Sequence, residues 1–156
     1  MTRMETVAAT LDVAQELLLT RGFNVFSIKD LAERVHIRTS TVPYYFPTKG
    51  DLGGALVARQ RRVVAQALDD IDGQARGAKT KLKRLATLFE NSLDAGYRMC
   101  LCGMLAAECS TLDPGSRPDP CESFNDYEIR LTRVLTRAKE EGELSFADKP
   151  RDVPDF

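Results

Sequence analysis

The sequence predicts an all-α fold: an N-terminal three-helix unit with a helix-turn-helix at its centre, then a helical C-terminal region. Three observations predict it. Apolar residues recur at i, i+3, i+4 and i+7 along most of the chain, and no strand pattern stands out. The stretch SIKDLAERVHIRTSTVPYYFPTK, residues 27–49, reads as two short helices around a tight turn. Glycine and proline punctuate the chain at Gly22, Pro47, Gly73, Gly77, Pro114 and Gly142, at the spacing of helix ends.

The first helix is expected over about 5–20, with Val7, Leu11, Ala14 and Leu18 on one face and Leu17 beside it. Gly22 ends it as a cap able to take φ > 0, and Phe23 can pack back on the last turn. Ser27 and Asp30 have the spacing of a capping box. Ile28, Leu31, Ala32 and Val35 then line one face of the second helix. His36 and Ile37 break that pattern; histidine tolerates a left-handed backbone better than most residues. In the third helix, Val42 and Phe46 are the expected inward anchors. Pro43 is tolerated only in a first turn, so this helix should start late, near Thr39 or Ser40.

Thr48, paired with Asp51, caps a long helix expected to run to about 71, with Leu52, Leu56, Val63, Ala67 and Ile71 as its apolar positions. Gly53 and Gly54 weaken its start by about 1 kcal/mol each relative to alanine, marking either a hinge or close helix packing. Arg59, Arg61 and Arg62 read as solvated surface in preference to DNA contacts, as do the acidic pairs at 69–70 and 140–141. Leu82, Leu85, Ala86, Phe89 and Leu93 form a stripe of a helix reaching Tyr97. A short apolar segment over 99–112, a proline-containing loop and a last helix over about 121–141 complete the chain.

The net charge of −1 conceals an asymmetry. Residues 1–62 hold nine Lys/Arg against six Asp/Glu, and the interval 34–62 holds six against one. A basic end on an acidic body suits a nucleic-acid module, because phosphate neutralisation supplies much of the affinity. No apolar run approaches the ~20 residues of a membrane span, and the N-terminus has no signal-peptide core. A cytoplasmic protein with no membrane partner is the expectation.

Within 22–49, the residue types and their spacing resemble the DNA-binding domain of the TetR family of bacterial repressors. The matching residues are Gly22, Phe23, Ser27, Leu31, Ala32, Thr41, Val42, Tyr45, Phe46 and Lys49, and the likeness is dense from about 10 to 56. The resemblance implies a helix-turn-helix domain over 1–48 and a ligand-binding and dimerisation domain over 49–156, joined by a linker helix over about 49–72. It places Arg38, Thr39 and Ser40 where base edges or nearby phosphates are read, and Thr41, Tyr45 and Lys49 where the DNA backbone is held. Lys29 can also point at a phosphate, and Tyr44 and Tyr45 either face DNA or pack the domain. Two departures stand out: His36 replaces the usual glycine of the turn, and Pro43 replaces a tyrosine of the recognition helix. The implied partners are a double-stranded operator, a second copy of the chain and a small-molecule effector. The effector pocket would be lined by Leu85, Phe89, Leu93, Tyr97, Cys100, Met104 and Phe124, residues that could equally be plain core. Family members carry two further helices that form the dimer bundle. Beyond Gly142 only Leu144, Ser145, Phe146 and a polar tail follow, so a dimer surface of that kind is in doubt and truncation is one explanation.

Four cysteines, Cys100, Cys102, Cys109 and Cys121, with a single histidine make a poor zinc pattern. They read either as small core residues or as a thiol sensor, since Cys102 precedes Gly103 much as sensor cysteines do in some relatives; Arg98 could lower a thiol pKa. No catalytic arrangement is visible and no cofactor is called for, so an enzyme is not expected. The expected function is a transcription regulator, a repressor released by a ligand or by thiol modification. The alternative is a protein of this fold that has lost operator binding and acts as a protein-interaction or thiol-sensing module.

Overall fold

The structure, a computed structural model, describes residues 2–94, 100–108 and 121–147. Among these residues the fold is all-α, as expected: α1 (Arg3–Arg21), α2 (Ile28–Val35), α3 (Thr41–Tyr45), α4 (Lys49–Gln74), α5 (Ala78–Asp94), α6 (Leu101–Glu108) and α7 (Cys121–Glu140). The tail after residue 147 and the loop before α7 lie outside the described residues.

Three helix starts are built alike. Thr2, Ser27 and Thr48 each accept a bond from the N3 backbone N–H, while Glu5, Asp30 and Asp51 reach back to the cap N–H. Each pair satisfies two donors that a helix otherwise leaves open, and losing such a cap costs about 1 kcal/mol. The Ser27 hydrogen bonds, backbone N–H first, hold the Asp30 carboxyl below its ordinary value. Gly22 ends α1 at φ 92°, as its position suggested, and Phe23 is completely buried behind it.

One core cluster joins α1, the α1–α2 turn, α2, α3, the first half of α4 and α6. Leu17, Leu18, Phe23, Leu31, Val42, Leu52, Leu56 and Leu105 are fully buried in it. It crosses residue 48 without a break, because α6 packs on both α1 and α4. A smaller cluster, Val64, Leu68 and Leu85 with Tyr127 against it, joins the second half of α4 to α5 and α7.

Leu52 and Leu56 of the long helix are buried as its stripe suggested, and Ile71 packs on the smaller cluster, but between them the inward face is shifted by one residue. Val57, Val64 and Leu68 are buried, whereas Val63 is 61% exposed. Both sets have helical spacing, and the docking of α5, α6 and α7 selects between them. Gly53 is buried, as close packing requires, while a Cβ on Gly54 would meet nothing within 4 Å. Two arginines read as solvated are in fact ties. Arg59 bonds Asp12, Gln15 and the Leu11 carbonyl on α1, and Arg61 bonds Asp126 on α7 at 2.8 Å.

At the far end, Asp72 joins α4 to α5 and α7 through Lys81 at 3.1 Å and Arg130 at 3.0 Å. Arg130 also engages Asp69. Burial alone would raise the Asp72 pKa, but its bonds to Lys81 and Arg130 outweigh that and hold it below 3.8. The unfolded chain then binds more protons at low pH, so this contribution is present above pH 3.8 and is lost as pH falls through the depressed value. Asp72→Asn is expected to lower stability at neutral pH by about 1 kcal/mol, the scale of a half-exposed pair. It should also flatten the acid limb of a denaturation series followed by helical circular dichroism. An unchanged acid limb would show that Asp72 does not set it.

Candidate nucleic-acid interface

The turn between α2 and α3 forms because His36 adopts the left-handed region, at φ 59° and ψ 42°. The Ile37 N–H donates to the Ala32 carbonyl at 3.0 Å and the His36 N–H to Glu33 at 3.2 Å, which closes the end of α2 in a Schellman-type cap. The chain then folds through a second tight turn, with the Thr41 N–H on the Arg38 carbonyl at 2.8 Å.

α3 begins at Thr41, one or two residues later than the sequence suggested, and has five residues. Pro43 is therefore the third residue of its first turn, where a backbone N–H has no partner within the helix. Proline removes no ladder bond there, and the helix closes with the Phe46 N–H on the Val42 carbonyl at 2.9 Å. Val42 and Phe46 are the inward anchors, both buried.

Around that anchor the remaining residues face out. Arg38, Thr39, Ser40, Pro43 and Tyr44 are exposed, and the Ser40 hydroxyl makes no capping bond. Thr41 is half-buried. The tyrosines divide the roles: Tyr44 is 75% exposed, and Tyr45 packs against the core. Their rings meet edge-on, 5.0 Å apart, so Tyr45 braces Tyr44. The spacing 42, 45, 46 carried this signal, because i, i+3 and i+4 share a helical face. Lys29 stands exposed on α2, loosely paired with Glu33 at 3.9 Å. Arg34 is tied to Glu16 of α1 at 2.7 Å.

Lys49 behaves differently from a phosphate clamp. Its ammonium donates to the Phe26 carbonyl and sits over the rings of Phe23 and Phe26, 5.2 Å and 4.5 Å from their centroids. Burial lowers its pKa, and the carboxylates of Glu108 and Asp30 pull the other way. The side chain joins the start of α4 to the α1–α2 turn. Its place in the chain, at the first residue of α4, gave no sign of this, because the carbonyl it meets lies 23 residues back.

The geometry is that of a helix-turn-helix with a rigid buried back and a polar front. Residues 11–56 match the model of the bacterial regulatory proteins of the tetR family. That stretch is a TetR-family DNA-binding domain. Its fold agrees with a TetR-family transcriptional regulator from Agrobacterium tumefaciens at a TM-score of 0.87 and 25% identity, over 96% of this chain and 80% of that one. A TetR regulator from Legionella pneumophila matches at 0.76 and 29% identity, over 89% and 74%. The regulatory protein TetR from Rhodobacter sphaeroides matches at 0.79 and 22% identity, over 92% and 77%, a likeness of fold. No curated protein matches the sequence.

Among the described residues, those proposed from sequence to line an effector pocket are divided between two clusters and the surface. Leu85 belongs to the α4–α5–α7 cluster, and Cys100 and Met104 pack against the larger core. Phe89 and Phe124 are 45% and 44% exposed, with Phe89 against Tyr127 at 4.8 Å. Tyr97 and the Leu93 side chain lie outside the described residues. They were chosen as one stripe per helix, and the stripes serve different packing contacts.

A cavity of about 170 Å³ instead opens between α4, α6 and α7. Val64, Leu68, Cys102, Tyr127, Arg61 and Arg130 contribute to its wall. Cys102 is buried there, and Cys100 is half-buried. Burial pushes the Tyr127 phenol up to about 12, with smaller contributions from Cys102 and Cys100, so the phenol stays protonated. Cys109 and the Cys121 side chain are outside the described residues. Among the described residues no group of three or more His, Cys, Asp or Glu could hold a metal ion, and no helix is long and apolar enough to cross a membrane.

The strain at His36 makes a direct prediction. A non-glycine residue in the left-handed region costs about 1–2 kcal/mol, partly offset because glycine loses more entropy on folding. His36→Gly should therefore raise stability by about 0.5–1 kcal/mol in urea unfolding without altering helix content. A destabilised variant would mean that the imidazole makes a contribution of its own.

Proposed function

We propose that this TetR-family DNA-binding regulator is a repressor that binds a palindromic operator as a homodimer and leaves it when a small effector occupies the α4–α6–α7 cavity. The reading unit ends near residue 48, and the regulatory part begins with α4. Two copies would set their third helices into successive major grooves, about 34–36 Å apart. Arg38 is the residue best suited to base readout, through O6 and N7 of guanine. Thr39, Ser40, Thr41 and the Tyr44 phenol contact base edges or phosphates, and Lys29 contacts phosphate. Tyr45 and Lys49 act from behind, by holding the reading face in place. One observation carries this reading: the exposed row Arg38, Thr39, Ser40 and Tyr44 is mounted on buried Val42 and Phe46.

The effector class follows from the cavity. A space of ~150 Å³ accepts a molecule of benzene size. The wall here combines apolar Val64 and Leu68 with the paired charges of Arg61 and Asp126. A ring-sized molecule with one polar substituent fits that lining. A second reading is favoured by Cys102, whose thiol is part of the same wall. Its modification would put a new group into the same cavity and act as a bound effector does.

The test is a fluorescence-anisotropy titration of the full chain against the duplex upstream of its own coding region, with a scrambled duplex as control. Affinity for the upstream duplex should exceed the control and weaken steeply between about 50 and about 200 mM salt. Arg38→Ala should cost about 1–3 kcal/mol on the upstream duplex and much less on the control. Equal binding to both duplexes, with no effect of Arg38→Ala, would favour a protein-interaction module instead. Pro43→Tyr restores a phenol where the TetR pattern has one. It should tighten operator binding several-fold, and unchanged affinity would show that the proline costs the interface nothing.

A further inference from the structure

Glu108 is the last residue of α6, and its side chain reaches the turn between α1 and α2. One carboxylate oxygen accepts the Phe23 N–H at 3.1 Å and the other accepts the Asn24 N–H at 2.7 Å. A fork of this kind is charge-assisted and directional, unlike an apolar contact. The turn is shaped to receive it. A Cβ on Gly22 would stand 2.7 Å from the Glu108 carboxylate, so glycine serves both the positive φ and the close approach.

The position of Glu108 on its helix gives the fork its consequence. Cys102, Leu105 and Glu108 are spaced three apart on a rod of eight residues, about 12 Å long. Cys102 lines the α4–α6–α7 cavity. Leu105 is fully buried in the core shared with α1 to α4. Glu108 grips the turn that leads into the Ser27 cap and α2. Hydrophobic packing alone would let α6 slide on α1, whereas two bonds to successive backbone N–H groups set one register.

We propose that Glu108 is a positioning residue that fixes the orientation of α2 and α3 to the position of α6, so that a shift of α6 carries the reading face with it. This rests on the proposed DNA-binding role of that face. It assigns to a single carboxylate, 84 residues from Asn24 in the chain, the link between cavity wall and reading helix.

The test combines amide hydrogen exchange and duplex anisotropy on the full chain carrying Glu108→Ala or Glu108→Gln. Glu108→Ala is expected to speed exchange at Phe23 and Asn24 at least tenfold, with a smaller rise through α2 and α3. It should weaken upstream-duplex binding at least fivefold while helix content stays constant. Glu108→Gln keeps one acceptor oxygen, so one of the two amides should regain protection and part of the affinity should return. Unchanged exchange at both amides overturns the proposal. So does faster exchange with unchanged affinity of the folded protein, which describes a structural staple. If Glu108→Ala fails to fold, the glutamine variant decides on the same two readouts. If the native chain binds neither duplex, the DNA-binding reading fails; exchange in α2 and α3 then decides, faster exchange supporting the positioning role and unchanged exchange overturning it.

Discussion

Phe23 and Phe26 meet edge to face at 5.7 Å in the turn that links α1 to α2, and the Lys49 ammonium lies over both rings while bonding the Phe26 carbonyl. That knot brings three separate stretches of chain to one point: the end of α1, the cap of α2 and the first residue of α4. A five-residue helix such as α3 cannot persist alone, because helices under ~12 residues are marginal in water. It is held because α2 in front and α4 behind are fixed to the same knot, and because Val42 and Phe46 insert into the core they share. Truncating a buried phenylalanine of this kind costs about 3–5 kcal/mol, a large share of the 5–15 kcal/mol by which a domain is stable. The polar face is thus free for recognition because the apolar face carries the folding.

The same economy explains how Pro43 and His36 are accommodated. Each violates a local rule, yet each falls where the backbone requirement is least. Pro43 occupies a first-turn position that has no donor to lose, and His36 occupies the one left-handed residue that a Schellman-type cap demands. Both irregularities flank the exposed row from Arg38 to Ser40, so local strain and the proposed recognition chemistry lie within one short segment.

Much of this was legible in the chain because it is local. The boxes at Ser27 and Thr48, the apolar faces of α1 and α2, the stop at Gly22 and the anchors Val42 and Phe46 each follow from residues within one or two turns. What was not legible depends on partners far along the chain. Whether Val63 or Val64 turns inward is decided by where α6 and α7 dock, and either satisfies a helical period. Lys49 has the charge of a phosphate ligand, and only the carbonyl of Phe26 shows that it is spent inward. The cavity wall mixes α4, α6 and α7, so no single stripe could reveal it. Glu108 carries no local signal, because the N–H groups it accepts from lie 85 and 84 residues away. Tyr45 lay between the two: facing DNA and packing the domain were both open for it, and the spacing 42, 45, 46 already pointed inward.

The central claim is that duplex DNA meets the protein at the front of α3 and the turn before it. The most direct measurement is the change in backbone amide NMR shifts as duplex carrying the upstream sequence is added to the full chain. The largest changes are expected from Arg38 through Tyr44, with lesser ones near Lys29 and small ones at buried Leu17 and Leu52. Shifts centred on α5 and α7, with the 38–44 stretch silent, would contradict the account.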